Sequence, residues 1–138
     1  MAWLILITLI VVALIFSFKI ASETTISSST STTKTVTVDI SRHTLKETFE
    51  VVGVHVEEYK WYIINYCEER HPVDLVHEPD NEYTDFAVQV FHQGSKIGYV
   101  SRYENEEAFR LMQKDHTAII SYKNYINDYL TLEVTVYY

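Results

Sequence analysis

Hydrophobic and polar positions divide the chain into three regimes. From Ala2 to Phe18 (AWLILITLIVVALIFSF) seventeen residues pass without a charge. As a helix they span roughly 26 Å at ~1.5 Å per residue, just under a ~30 Å hydrocarbon core. Lys19 can snorkel, and Ile20 and Ala21 extend the apolar surface, so residues 1–21 are expected to form a single-pass transmembrane anchor. A cleaved signal peptide competes with this reading. Against it, no basic residue precedes the apolar run, and cleavage after Ala21 would put Lys19 where a small residue is wanted. Ser22 to Thr37 is rich in Ser and Thr without a hydrophobic period, and residues 22–43 read as a tether. The end of that stretch, Thr35 to Ile40 (TVTVDI), alternates well enough to open the first strand instead.

Residues 44–138 form the third regime and the one folded domain that this length allows. Phe49 to Val56 (FEVVGVHV) is β-branched and apolar, with Gly53 marking a bulge or close approach. Between Glu57 and Glu69 the period changes: Tyr59, Tyr62, Ile63, Tyr66 and Cys67 recur at helical spacing. That predicts a helix ending before Pro72, with Cys67 on its apolar face. PVDLVHE predicts a short strand. FAVQVF, HQGS and KIGYV predict a hairpin with Gly94 in its loop. Asn105 to His116 predicts a helix, with Asn105 as N-cap, acidic residues in the first turn, and Ala108, Leu111 and Met112 as its apolar stripe. Thr117–Tyr122 and Leu130–Tyr138 predict two closing strands joined by a polar loop containing Asn124, Asn127 and Asp128. The expected class is mainly β, a small barrel or sandwich with one or two short helices.

Charge narrows the partners. The formal net charge is −8; Lys19, Lys34 and Arg42 against Glu23 and Asp39 leave residues 1–43 at +1, so the remainder carries −9. A domain so acidic does not bind nucleic acid through a generic basic surface. The cations nearest the apolar run, Lys19 and Lys34, lie on its carboxyl side, which places the domain in the cytoplasm by the positive-inside rule. A single Cys67 excludes an intramolecular disulfide and a four-cysteine zinc site. His71, Asp74 and His77 have metal-ligand chemistry, but a spacing of three puts strand neighbours on opposite faces. There is no Gly-x-Ser-x-Gly, no Gly-rich phosphate loop and no supported Cys/His pair, so neither an enzyme nor a cofactor is expected.

Three blocks in order carry a resemblance: VVGV, then LVHEPDNEYTDFAVQV, then GSKIGYVSRYENEEAF. They resemble the HIRAN domain, found at the amino terminus of certain DNA-remodelling helicase-like enzymes and as a stand-alone bacterial protein. The likeness covers roughly Phe49 to Tyr138. It implies a small β-barrel of the oligonucleotide-binding type that binds single-stranded DNA and prefers a free 3′ end. Aromatic faces would stack on splayed bases while polar groups hold the terminal sugar and phosphates.

Carried onto this chain, the resemblance implies six contact residues. Tyr83 takes the position of the stacking aromatic and Asn81 that of the turn asparagine. Tyr99 stands where the family varies among aromatic residues and His, and Arg102 where a basic residue meets phosphate. Thr84 stands where the family usually has Asp as acceptor for the terminal hydroxyl, with Asp85 one place later. His55, followed by Val56 and Glu57, occupies the segment where DNA-binding members carry a basic residue and aromatics. Three have a plainer reading: Tyr83 as a turn tyrosine, Asn81 as an asparagine bonding its own turn, and Arg102 as a surface cation answering Glu104 and Glu106. A second functional expectation is therefore a membrane-tethered adaptor that binds protein and has lost the DNA site.

Overall fold

Residues 38–138 are described by the structure, a computed structural model. The expected membrane anchor and most of the tether lie outside the described residues; among those described, no helix is long and apolar enough to cross a membrane. Val38 to Ile40, the described end of the alternating TVTVDI segment, is not in a strand.

The strands are β1 (Lys46–Val52), β2 (Pro72–His77), β3 (Val88–His92), β4 (Ser95–Val100), β5 (Thr117–Ile126) and β6 (Tyr129–Tyr137). Helix α1 (Glu57–Tyr66) follows β1, and α2 (Asn105–Met112) follows β4. All strand pairs are antiparallel, and the order β1-β4-β3-β2-β5-β6 closes on itself as a barrel. Period-2 alternation fills its interior: Phe49 and Val51, Val73 and Leu75, Val88 and Val90, and Leu130, Leu132 and Val134 all point inward. The barrel alternative of the sequence reading is the one found, with two short helices.

Closure depends on β1 changing partners. Lys46–Glu50 pair with β6, and Val51 and Val52 pair with Val100 and Tyr99 of β4. The seam is tight at Gly98. A Cβ there would sit 2.5 Å from the Val52 carbonyl oxygen and 2.8 Å from Val51 Cγ1. Only hydrogen fits.

Several boundaries differ from expectation. The first strand stops at Val52, because Gly53 (φ 79°) turns the chain and its carbonyl accepts from the Val56 amide at 3.0 Å. Helix α1 stops at Tyr66 rather than Glu69. Lys123 Nζ donates to the carbonyls of Ile63, Ile64 and Cys67, placing a cation at the negative end of the helix. Asn105 is a buried first helical residue and not the N-cap of α2, which ends at Met112. Strand β5 absorbs the expected polar loop: Asn124 pairs with Thr131, and only Asn127 and Asp128 turn, both at positive φ (51° and 66°). Gln93 and Gly94 do the same at the β3–β4 hairpin, with φ of 50° and 81°. Both are the two-residue turns whose twist suits flanking strands.

Helix α1 lies over β4, with Ile63 and Cys67 in the core. The Tyr62 hydroxyl donates to the His92 carbonyl at 3.2 Å, and the buried His92 ring stacks on His71 at 5.1 Å. His71 and His77 thus have separate engagements, since the His77 ring packs on Phe109 of α2 at 4.4 Å.

Two outcomes follow. Gly98→Ala must push the Val52 carbonyl aside, and overpacking of this kind costs about 1–3 kcal/mol. Thermal unfolding should register a drop of roughly 4–8 °C per kcal/mol, and an unchanged midpoint would show that the seam yields. Cys67 has no exposed surface, and burial pushes its thiol up to about 11. Iodoacetamide at pH 8 should therefore label it only after denaturant is added, whereas rapid labelling of the native chain would mean that α1 lifts off.

Candidate nucleic-acid interface

One side of the β1–β4 seam opens into a groove of ≈ 680 Å³, within the size range of small-ligand sites. Its floor is barrel: Val52 from β1, Tyr99 and Val100 from β4, and Ala87 just before β3. One wall is the long turn between β2 and β3, and the other is the loop joining β4 to α2.

The turn holds its shape through its own polar side chains. Asn81 Oδ1 accepts from the Tyr83 amide at 3.0 Å, and Thr84 Oγ1 accepts from the Phe86 amide at 3.2 Å. The Glu78 amide donates to the Ala87 carbonyl at 2.9 Å, closing the base. Glu78 then joins the turn to the floor. Its carboxylate accepts from Asn81 Nδ2 at 2.6 Å, from Gln89 Nε2 at 2.5 Å and from the Tyr99 hydroxyl at 3.4 Å. The Asn81 bond, joined by those of Tyr99 and Gln89 and by nearby Lys96, holds the Glu78 carboxyl below its ordinary pKa. Lys96 also donates to the Tyr99 hydroxyl at 2.5 Å, its ammonium lying 4.0 Å from that ring's centroid.

The opposite wall is pinned to β1 where that strand changes partners. Glu50 donates its amide to Glu104 Oε2 at 3.0 Å, and its carbonyl accepts from the Ser101 amide at 2.9 Å. Between those anchors stand Arg102 and Tyr103, with the guanidinium carbon 5.3 Å from the ring centroid.

Five of the six residues singled out from the sequence, Asn81, Tyr83, Thr84, Tyr99 and Arg102, therefore line one groove. They come together because β3 and β4 pair, setting Gln89 against Tyr99 and hanging the turn and the loop from one floor. Tyr83 is 84% exposed, its ring free to meet a ligand, and the neighbouring Glu82 carboxylate raises the pKa of its hydroxyl. The structure does not bring His55 to the groove. Beyond Gly53 the chain turns away, and the His55 ring packs on Tyr129 at 4.8 Å.

The charge felt in the groove comes from its lining and from the carboxylates that adjoin that lining. Its lining carries one cation, Arg102, and one anion, Glu50, so the formal charges cancel. Glu57, Glu58 and Asp80 do not line it, but three carboxylates adjoin groups that do: Glu78 at Asn81 and Tyr99, Glu82 at the Tyr83 hydroxyl, and Glu104 at the Glu50 amide. Among the described residues Arg102 forms no salt bridge, and Glu104 is already engaged by the Glu50 amide. Two contributors escaped the sequence reading. Tyr103 carried a signal, an aromatic beside a candidate phosphate-binding arginine. Glu78 carried none, being one more acidic residue in a polar turn.

The HIRAN domain family matches residues 47–138. No curated protein matches the chain. Among solved structures, the crystal structure of the HIRAN domain of human HLTF is similar at 17% identity and a TM-score of 0.51, over 67% of this chain and 73% of that one. A Lactobacillus plantarum protein, solved as a structural-genomics target, is similar at 24% identity and a TM-score of 0.50, over 66% of this chain and 91% of its own. At those identities the two structures speak for the fold. With the family match running through to the last residue of a closed six-stranded barrel, the chain belongs to the HIRAN domain family.

Proposed function

We propose that this HIRAN domain is a non-catalytic module that binds single-stranded DNA, preferentially at a free 3′ end, in the groove beside the β1–β4 seam. The observation that carries the reading is the convergence there of Tyr83, Asn81, Thr84, Tyr99 and Arg102 around an exposed aromatic ring. Tyr83 supplies a face for a base, Arg102 an unpaired cation for a phosphate, and the turn a fixed backdrop. The lining residues carry no net formal charge, but the carboxylates bonded to them and the −9 of residues 44–138 oppose a phosphate backbone, so stacking on Tyr83 has to carry most of the affinity. The domain is held at a membrane by residues 2–21 and faces the cytoplasm.

The adaptor reading is the alternative. It is favoured by Thr84, whose hydroxyl is taken up by the Phe86 amide and is no carboxylate, and by the absence of His55 from the groove. In that case the same groove receives a protein segment.

Binding of the detergent-solubilised full chain to labelled single-stranded DNA with a free or a blocked 3′ end, over a salt series, separates the two. The expected result is tighter binding to the free end, weakened roughly 5- to 150-fold by Tyr83→Ala, the equivalent of ~1–3 kcal/mol per stacked base. No binding at low salt, where even weak phosphate contacts register, would sink the DNA reading and favour the adaptor. Fractionation checks the anchor separately. The chain should stay with membranes through an alkaline carbonate wash and lose its domain to protease only when the cytoplasmic face is exposed. Release by the wash, or a shortened soluble product, would identify residues 1–21 as a cleaved signal.

A further inference from the structure

Tyr103 is 87% exposed, the most exposed large hydrophobic side chain among the described residues, and it borders the same groove as Tyr83. Its backbone is not loose. Ser101, before it, and Asn105, after it, are buried, and the Glu104 amide donates to the Ser101 carbonyl at 2.9 Å. The two bonds from Glu50 fix the loop to β1. A tyrosine ring has enough apolar surface to be drawn into a neighbouring cleft when its backbone allows. Here the pinned loop holds it out, with Arg102 against the ring and, among the described residues, no acidic partner within salt-bridge distance of that arginine.

We propose that Tyr103, with the Arg102 guanidinium on its ring, is a second base platform, so that the groove takes two consecutive nucleotides of a single strand. This rests on the nucleic-acid reading of the groove. Tyr83 on the turn wall receives one base and Tyr103 on the loop wall the next, with Arg102 meeting the phosphate that links them. The chemistry requires a flexible strand with unpaired bases, because a stacked duplex offers no free base face to either ring. Stacking of this kind tolerates any base, since every base has a π-face.

The test is competition by thymidine monophosphate, the dithymidylate and the hexathymidylate against a labelled hexathymidylate, using the full chain and its variants. For the wild type, affinity should rise at least about 5-fold from mononucleotide to dinucleotide. Tyr103→Ala should abolish that rise and leave the mononucleotide unaffected, while Tyr103→Phe should keep it. Arg102→Gln should lower the slope of log affinity against log salt by about 0.7, one single-strand phosphate contact. Both side chains are exposed, and an unshifted thermal midpoint checks that the variants fold. If Tyr103→Ala retains the rise while Tyr83→Ala loses binding to every ligand, the groove is a one-base site and the second platform is overturned. If the wild type fails to bind the hexathymidylate at low salt, the groove's nucleic-acid reading falls and the second platform falls with it.

Discussion

The structure hangs on a strand that serves two neighbours. β1 runs beside β6 for five residues and then gives Val51 and Val52 to β4. A strand that switches partners leaves backbone groups unsatisfied at the switch, and buried orphans of this kind are costly. Glu50 stands at that point. Its amide and carbonyl are taken by Glu104 and Ser101, so the loop after β4 supplies what the ladder cannot. The same two bonds that complete the barrel thereby raise one wall of the groove. Gly98 lets the strands approach closely enough for this to happen.

The other wall obeys a different constraint. A turn of ten residues between β2 and β3 has no ladder of its own. It is ordered by side chains bonding to nearby backbone and by one carboxylate, Glu78, that reaches the turn, β3 and β4 together. Charge-assisted hydrogen bonds of this type are shorter and stronger than neutral ones. An acidic residue here acts as mortar, and its carboxylate stays ionised where the turn meets the floor of the groove.

Much of this was legible in the sequence, for identifiable reasons. Strand existence followed from alternation, since the inward positions Val88, Val90, Leu132 and Val134 are β-branched or branched aliphatics. Strand and helix ends were less legible, because tertiary contacts set them. Lys123, sixty residues away from Ile63, stops α1, and Asn124 is polar yet pairs in a ladder. The clustering of turn and loop residues was implicit in the β3–β4 hairpin, which any reader of HQGS between two apolar runs would draw. His55 was singled out by its family position after the Val-Gly strand, and Gly53 turns the chain there so that the His55 ring packs on Tyr129 instead of lining the groove. Glu78 was invisible for a deeper reason. Its role exists only once Asn81, Gln89 and Tyr99 have been folded around it.

That dependence divides the groove's residues into two genetic kinds. Asn81 spends both ends of its amide on the architecture, on the Tyr83 backbone and on Glu78, and Tyr99 shares the same carboxylate. A substitution at either alters the vessel and its contents at once, and its phenotype has no single author. Tyr83 and Tyr103 stand out in solvent on frameworks built by others, so removing their rings subtracts surface and little else. In this fold the exposed rings offered to a visitor stand apart from the side chains that shape the groove, and variation can rewrite those rings without asking leave of the framework.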